Sequence, residues 1–242
     1  MLIMLLGCQD KDNKKTLTGK TIIDAAVKVA GDTAFSASKI QFKFRDKVYY
    51  AERDHGVFSL IREFSQDSQN ITDVLDNRGF KRYINNQPVT LVDSLATAYA
   101  ASVNSVHYFS VLPFGLQTKA VKPVNLGIEE IGEKRYLKVM VTFDAEGGGE
   151  DYQDVFIYWF RTNDYKLDYL SYSYEEDNDI GMRFRVGYNE RYIKGIRFLD
   201  YKNYKPTTKL RLEELAKAYK EGQLEWVSDI ELNDIQVTLI HK

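Results

Sequence analysis

Residues 135–143 (RYLKVMVTF), 154–160 (DVFIYWF), 166–174 (KLDYLSYSY), 182–192 (MRFRVGYNERY) and 195–204 (GIRFLDYKNY) fill most of the second half of the chain. Each is short and rich in β-branched and aromatic residues, which pack well on a pleated surface. The segments between them, EGGGED (146–151), RTND (161–164), EEDNDIG (175–181) and IKG (193–195), are turn-sized. Such connections predict an antiparallel meander, because parallel strands need long crossovers. Within 155–160 the alternation says more: Phe156, Tyr158 and Phe160 fall on one face, and Val155, Ile157 and Trp159 on the other. A strand apolar on both faces has to be covered on both.

Upstream, KIQFKFRDKVYY (39–50) reads as a strand with Ile40, Phe42, Phe44, Val48 and Tyr50 on its buried face. Asp54-His55-Gly56 supplies a turn, and VFSLIREF (57–64) returns as its partner. A further hairpin is expected in RGFKRYINNQPVT (78–90), turning at Asn85-Asn86. Helical spacing occurs in three places. Ile22, Ile23, Ala25, Ala26, Val27, Val29 and Ala30 form a stripe that Gly31 ends; Leu95, Ala96, Tyr99, Ala100, Val103 and Val106 form another, capped by Asp93; the third is Leu212–Tyr219. HYFSVLPFGL (107–116), with Pro113 and Gly115, is expected to be a buried loop or lid, and SDIELNDIQVTLIHK (228–242) a final strand. The pattern indicates an α+β fold in one domain spanning 21–242. It follows a tether, 9–20, too polar to offset the entropy of ordering itself.

Composition narrows the function classes. With 33 Lys plus Arg against 35 Asp plus Glu, the chain lacks the basic excess of a nucleic-acid binder. One cysteine excludes an internal disulfide and a zinc site built from several thiolates. The three histidines, at 55, 107 and 241, are too dispersed to suggest a metal site, and no cofactor is expected. His107 in apolar company reads as a hydrogen-bonded core residue, and no G-x-S-x-G elbow occurs. The Gly147–Gly149 run is flanked by acids and lacks a phosphate-loop ending, so it reads as a hairpin or a gate. The acidic turn of Glu175, Glu176, Asp177 and Asp179 does not match a calcium loop. Catalysis is therefore not the expectation.

The 17 Tyr and 13 Phe are the positive clue. If the sheet curls around its helices, its interior is a pocket for an apolar ligand. The candidate lining is Phe156, Tyr158, Trp159, Tyr172, Tyr174, Phe184 and Tyr188, with His107, Tyr108, Phe109 and Phe114 as the lid. For any single ring, a plain packed core is the better reading. Arg183 and Arg185 share a strand face: on a wet face they are ordinary, and inside a barrel they would contact an anion.

The cysteine's position is informative. Leu5-Leu6-Gly7-Cys8 follows an apolar run, MLIMLL, and resembles a lipobox, which implies cleavage before Cys8, diacylation of its sulfur and acylation of the new amino terminus. Residues 1–8 lack a basic n-region and are short for a leader, as if the start were placed too late or clipped. The alternative is a frayed apolar terminus with an ordinary thiol. An acylated Cys8 would anchor the protein to the outer membrane of a bacterial envelope, on its periplasmic or surface face.

The lipobox, VNSVHYFSVLPFGL, YLKVMVTF running into EGGGEDYQDVFIYW, and YNERYIKGIRFLDYKNYKP together resemble a family of Bacteroidota envelope lipoproteins, often named deoxyribose-phosphate aldolase. The order of helix then antiparallel sheet is more distantly similar to the LolA, LolB and LppX carrier fold. That likeness implies a half-open barrel, covered or plugged by a few helices, that holds acyl chains. The aldolase name conflicts with the pattern: it requires eight strand–helix units and a desolvated Schiff-base lysine. Lys138 is the nearest strand candidate. Two other readings stand beside ligand binding: an accessory lipoprotein that engages a protein partner through exposed strands, and an enzyme, either that aldolase or a hydrolase.

Overall fold

The computed structural model describes residues 17–146, 152–176 and 179–240. Cys8 and its neighbours through Thr16, the glycines at 147–149, Asp177 and His241 lie outside the described residues. In chain order the elements are α1 (Gly19–Ala30), α2 (Thr33–Ser36), β1 (Ala37–Phe44), β2 (Lys47–Asp54), β3 (Val57–Gln66), β4 (Gln69–Asp76), β5 (Gly79–Ile84), β6 (Gln87–Val89) and α3 (Asp93–Ser110). There follow β7 (Val121–Ile131), β8 (Lys134–Phe143), β9 (Val155–Arg161), β10 (Leu167–Glu176), β11 (Asp179–Ile193) and β12 (Ile196–Pro206). A 3-10 turn (Leu212–Glu214) leads into α4 (Leu215–Lys220), and β13 (Leu224–Ile230) and β14 (Asn233–Leu239) end the fold.

The strands make two seven-stranded antiparallel sheets, ordered β14-β1-β2-β3-β4-β5-β6 and β13-β12-β11-β10-β9-β8-β7. Strands β1 to β6 and β7 to β12 run as meanders, as their short connections require, while β13 follows α4 onto the edge beside β12 and β14 adds beside β1. Several hairpins turn on left-handed pairs, His55-Gly56 (φ 50° and 98°), Asn85-Asn86 (48° and 65°) and Lys194-Gly195 (51° and 82°), the geometry that matches strand twist. Among the described residues the edges at β6 and β7 are unpaired, so the sheets form a half-open structure rather than a closed barrel.

Helices α1 and α3 occupy the inner side. Thr18 caps α1 by accepting from the Thr21 backbone N–H (3.2 Å), and its buried stripe of Ile22, Ile23, Ala26 and Val27 packs on Val139, Tyr158 and Leu170 of the second sheet. Gly19 lets the helix start press against β7: a Cβ there would lie 2.7 Å from the Pro123 carbonyl oxygen. Helix α3 seats Val103 on Ala51 and Leu60 of the first sheet. A third cluster, with Ala30, Phe35, Phe42, Val111, Phe198 and Val237, joins both sheets. On the outer side of the second sheet, Leu212, Leu215 and Ala216 cover Ile157, Trp159 and Phe184. Strand β9 is thus buried on both faces, as its alternation predicts.

Three expectations are corrected. The segment 39–50 is a hairpin rather than one strand: the chain reverses at Arg45-Asp46, Phe44 pairs with Lys47, and Tyr49 and Ala51 take the buried face instead of Val48 and Tyr50. A two-residue turn flips the parity downstream of it. The final strand is two strands, interrupted at Glu231-Leu232, where the chain leaves the second sheet and joins the first. Residues 107–110 continue α3, and Val111, Leu112 and Leu116 beyond it are buried in the core.

Candidate functional site

Where α3 passes over β11, β12 and β13, the packing leaves a cleft of ≈ 220 Å³. Its apolar walls are Phe44, Val106, Phe109, Leu199, Tyr201, Ile230 and Leu232; its polar side chains are Arg45, Ser105, Ser110, Arg185, Asn203 and Ser228. Among the described residues no carboxylate lines it, although acids outnumber bases in the chain.

Strand register explains why these residues converge. Arg185 of β11 stands opposite Asn203 of β12, which stands opposite Ser228 of β13. Cross-strand partners share a face, so the three form one polar row across the inner side. Two residues along, Gly187, Tyr201 and Ile230 form the next row on that face, and it is apolar. The cleft is therefore polar at one end and greasy at the other. Burial raises the Tyr201 phenol to about 12, so it stays protonated.

Arg185 is 8% exposed. It donates from Nη2 to the Tyr172 hydroxyl (2.8 Å) and sits over Phe109, its Cζ 3.8 Å from the ring centroid. Its buried Nε and the Asn203 Oδ1 have no partner among the described residues. Two other buried arginines are compensated by carboxylates. Arg62 grips Asp73 (2.6 Å), which Arg82 also holds (2.6 Å), and Arg197 meets Glu190 (2.6 Å). Arg53, at the far end of β2, also has an unpartnered Nη1, and burial lowers it to about 10.

The candidates read from the sequence divide among several surroundings. Phe109 and Arg185 line the cleft. Tyr108, Phe156, Tyr158 and Tyr172 lie behind it in the inner core, where the Tyr108 and Tyr158 hydroxyls are 2.9 Å apart and Phe156 stacks on Tyr172. Phe114 stacks on Phe35 at 5.0 Å. Trp159 and Phe184 face the opposite way, under α4, because they occupy the other parity of β9 and β11. Tyr188 binds Glu231 (2.9 Å), Tyr174 packs beside Tyr172, and Arg183 reaches over Tyr174 rather than into the cleft.

His107 is buried between Phe42 and Tyr49, its Nε2 3.1 Å from the Ile61 carbonyl oxygen. Burial, reinforced by Arg53, lowers its pKa to about 3, so it is neutral and Nε2–H donates to that carbonyl. Lys138 lies outside the cleft, tied to Glu129 (2.9 Å) and the Glu213 carbonyl (3.2 Å). Among the described residues no group of three or more His, Cys, Asp or Glu could hold a metal ion, and no helix is long and apolar enough to cross a membrane.

A larger depression of ≈ 410 Å³ is lined by Tyr136, Arg161, Asp168 and Glu190. Two of its acids are paired: Asp168 accepts from Arg161 (2.6 Å) and Tyr136 (3.1 Å), and Glu190 pairs with Arg197 and Lys166. Sequence reading did not find Tyr201, Asn203 or Ser228. They are ordinary residues until the register sets them beside Arg185.

The fold resembles solved structures of the LolA kind. The LolA superfamily protein NE2245 from Nitrosomonas europaea superposes with a TM-score of 0.50 and 11% identity, over 91% of this chain and 93% of that one. An outer membrane lipoprotein-sorting protein domain from Vibrio parahaemolyticus gives 0.45 and 8%, over 89% and 92%. The lipoprotein LppX of Mycobacterium tuberculosis gives 0.29 and 10%, over 64% and 87%. None of the curated proteins matches the sequence. Residues 13–232 match the model of a family described as of unknown function, DUF6503.

Proposed function

This chain belongs to the DUF6503 family of unknown function, and we propose that it binds an apolar or amphipathic ligand, such as an acyl chain, in the cleft beneath α3 while tethered to the bacterial envelope through Cys8. The observation that carries the reading is the cleft itself. A half-open antiparallel fold leaves a gap between helix and sheet whose walls are Val106, Phe109, Leu199, Tyr201, Ile230 and Leu232. Concave sites with apolar walls and a few convergent polar groups are where small molecules bind. The LolA-like fold is consistent with this reading, although a fold by itself does not fix function.

Native mass spectrometry of protein gently extracted from its own host tests it. The expected spectrum contains a co-purifying lipid-sized molecule, released on unfolding. A ligand-free protein that also fails to bind an apolar fluorescent probe overturns the reading. Intact mass tests the anchor in the same experiment: the expected mature chain begins at an acylated Cys8, and an unmodified Cys8 removes the lipid tether.

A second reading is favoured by one surface. Val124, Leu126 and Ile128 are 47%, 40% and 52% exposed along β7, an unpaired sheet edge, so a protein partner could add a strand there. A stable protein complex in the native spectrum, with the cleft empty, would favour that role.

A further inference from the structure

Resting on the reading of the cleft as a ligand site, we propose that the row Arg185, Asn203 and Ser228 recognises the anionic headgroup of a single-chain amphiphile, whose tail runs along Tyr201, Ile230 and Leu199. The argument begins with charge. Removing a cation from water costs several kcal/mol unless a partner or a hydrogen-bond network replaces the water. Arg185 has the Tyr172 hydroxyl and the faces of Phe109 and Tyr172, and no carboxylate among the described residues. A cation–π contact returns only part of that cost. Nor can the side chain escape by losing its proton, because a guanidinium stays charged in proteins. An anion supplied by a ligand completes the site.

The neighbouring groups fit that ligand. Asn203 is 8% exposed, stands opposite Arg185, and keeps Oδ1 unpartnered. Its amide can donate to an anionic oxygen and accept from a headgroup hydroxyl. Ser228 adds a hydroxyl on the next strand, and Arg45 adds a second positive charge to the lining. An acid in that lining would repel an anion, and the described residues supply none. The adjacent apolar row begins two residues away, about 7 Å along the strand, which is where a tail leaves its headgroup. The volume of ≈ 220 Å³ lies below the roughly 300–1,000 Å³ of sites for drug-sized ligands, so it suits one chain rather than two.

The test uses the delipidated full-length protein and two fluorescent probes that differ only in charge, cis-parinaric acid and its methyl ester. The unmodified protein is expected to bind the acid about 10-fold or more tighter, the equivalent of one charge-assisted hydrogen bond. Arg185→Met should erase that preference while ester affinity stays within about threefold. Arg185→Lys, which keeps the charge and loses the fork, should retain part of the preference, and it serves if the Met variant misfolds. Arg183→Gln, outside the cleft, should leave the preference intact.

Displacement of the probe by dodecyl phosphate as well as by decanoate would show that either anionic head is accepted. Displacement by decanoate alone would assign a carboxylate. Inorganic phosphate displacing the probe would overturn the need for a tail. Equal binding of acid and ester by the unmodified protein, or a preference that survives in Arg185→Met, would overturn the headgroup site and leave the apolar cleft standing. Binding of neither probe overturns both.

Discussion

Arg62 on the first sheet and Arg185 on the second are buried alike, 6% and 8% exposed, and their surroundings are opposite. Arg62 donates from Nε and Nη2 to Asp73, shares that carboxylate with Arg82, and reaches the Ser102 hydroxyl on α3. Arg185 has one neutral hydroxyl and two aromatic faces, at the wall of a cleft. His107 represents a third solution: a buried base with no carboxylate, made harmless by staying neutral. Pairing and neutralisation both yield structure complete without a ligand. A buried guanidinium with neither remedy is a structure waiting for something else.

The comparison can be broken most forcefully at Asp73. Replacing it with Ala leaves Arg62 buried and unpaired and strips Arg82 of its partner, and should cost about 3–5 kcal/mol of unfolding free energy in urea titrations. A loss under about 1 kcal/mol would show that the first sheet tolerates an unpaired arginine as readily as the second.

His107 sharpens the contrast through pH. Its folded pKa, about 3, lies below the ordinary 6.5, so the unfolded chain binds the proton first. Its contribution to stability is therefore full above 6.5 and declines as pH falls toward 3, by at most about 1.4 kcal/mol per pH unit. His107→Gln, which keeps a donor for the Ile61 carbonyl, should flatten that acid limb in denaturation curves measured across the range.

Gly187 probes the paired cluster around Asp168. A Cβ there would sit 2.9 Å from the Asp168 carbonyl oxygen and 3.0 Å from Leu199 Cδ1, so Gly187→Ala should cost about 1–3 kcal/mol, readable as a lowered Tm.

The smallest effect belongs to the unpaired site. Arg185→Met gives up one hydrogen bond and a stacking contact but removes an uncompensated charge, so ligand-free stability should change by no more than about 1 kcal/mol. A loss near that of Asp73→Ala would make Arg185 a structural residue.

Much of this was legible in the residues, and what escaped did so for identifiable reasons. Strand β9 announced its double burial because both parities of 155–160 are apolar. Helix α1 announced its end because Gly31 adopts φ 134°. The Arg45-Asp46 turn carried no such sign: neither residue is a glycine or asparagine, yet Arg45 takes φ 55°. Strand β7 was hidden by Pro123 and Gly127 and by apolar residues left exposed at an open edge. Arg185 was visible as a candidate, whereas Asn203 and Ser228 were not. Their role depends on which residue faces which across β11, β12 and β13, and register is set by tertiary packing and bulges rather than by any one strand.

The crossing at Glu231-Leu232 also bears on how the molecule is made. Strand β1 has β14 as one neighbour, with Ser38 opposite Leu239 and Ile40 opposite Val237, about two hundred residues apart in the chain. A growing polypeptide thus carries β1 as an open edge until β14 has been synthesised. Contacts of such sequence separation close slowly, because the loop entropy must be overcome before the pairing contributes. The amino-terminal sheet is therefore the last part to be sealed, and a chain truncated before Asn233 would present an unsatisfied strand edge to its neighbours, the condition under which incompletely folded chains aggregate.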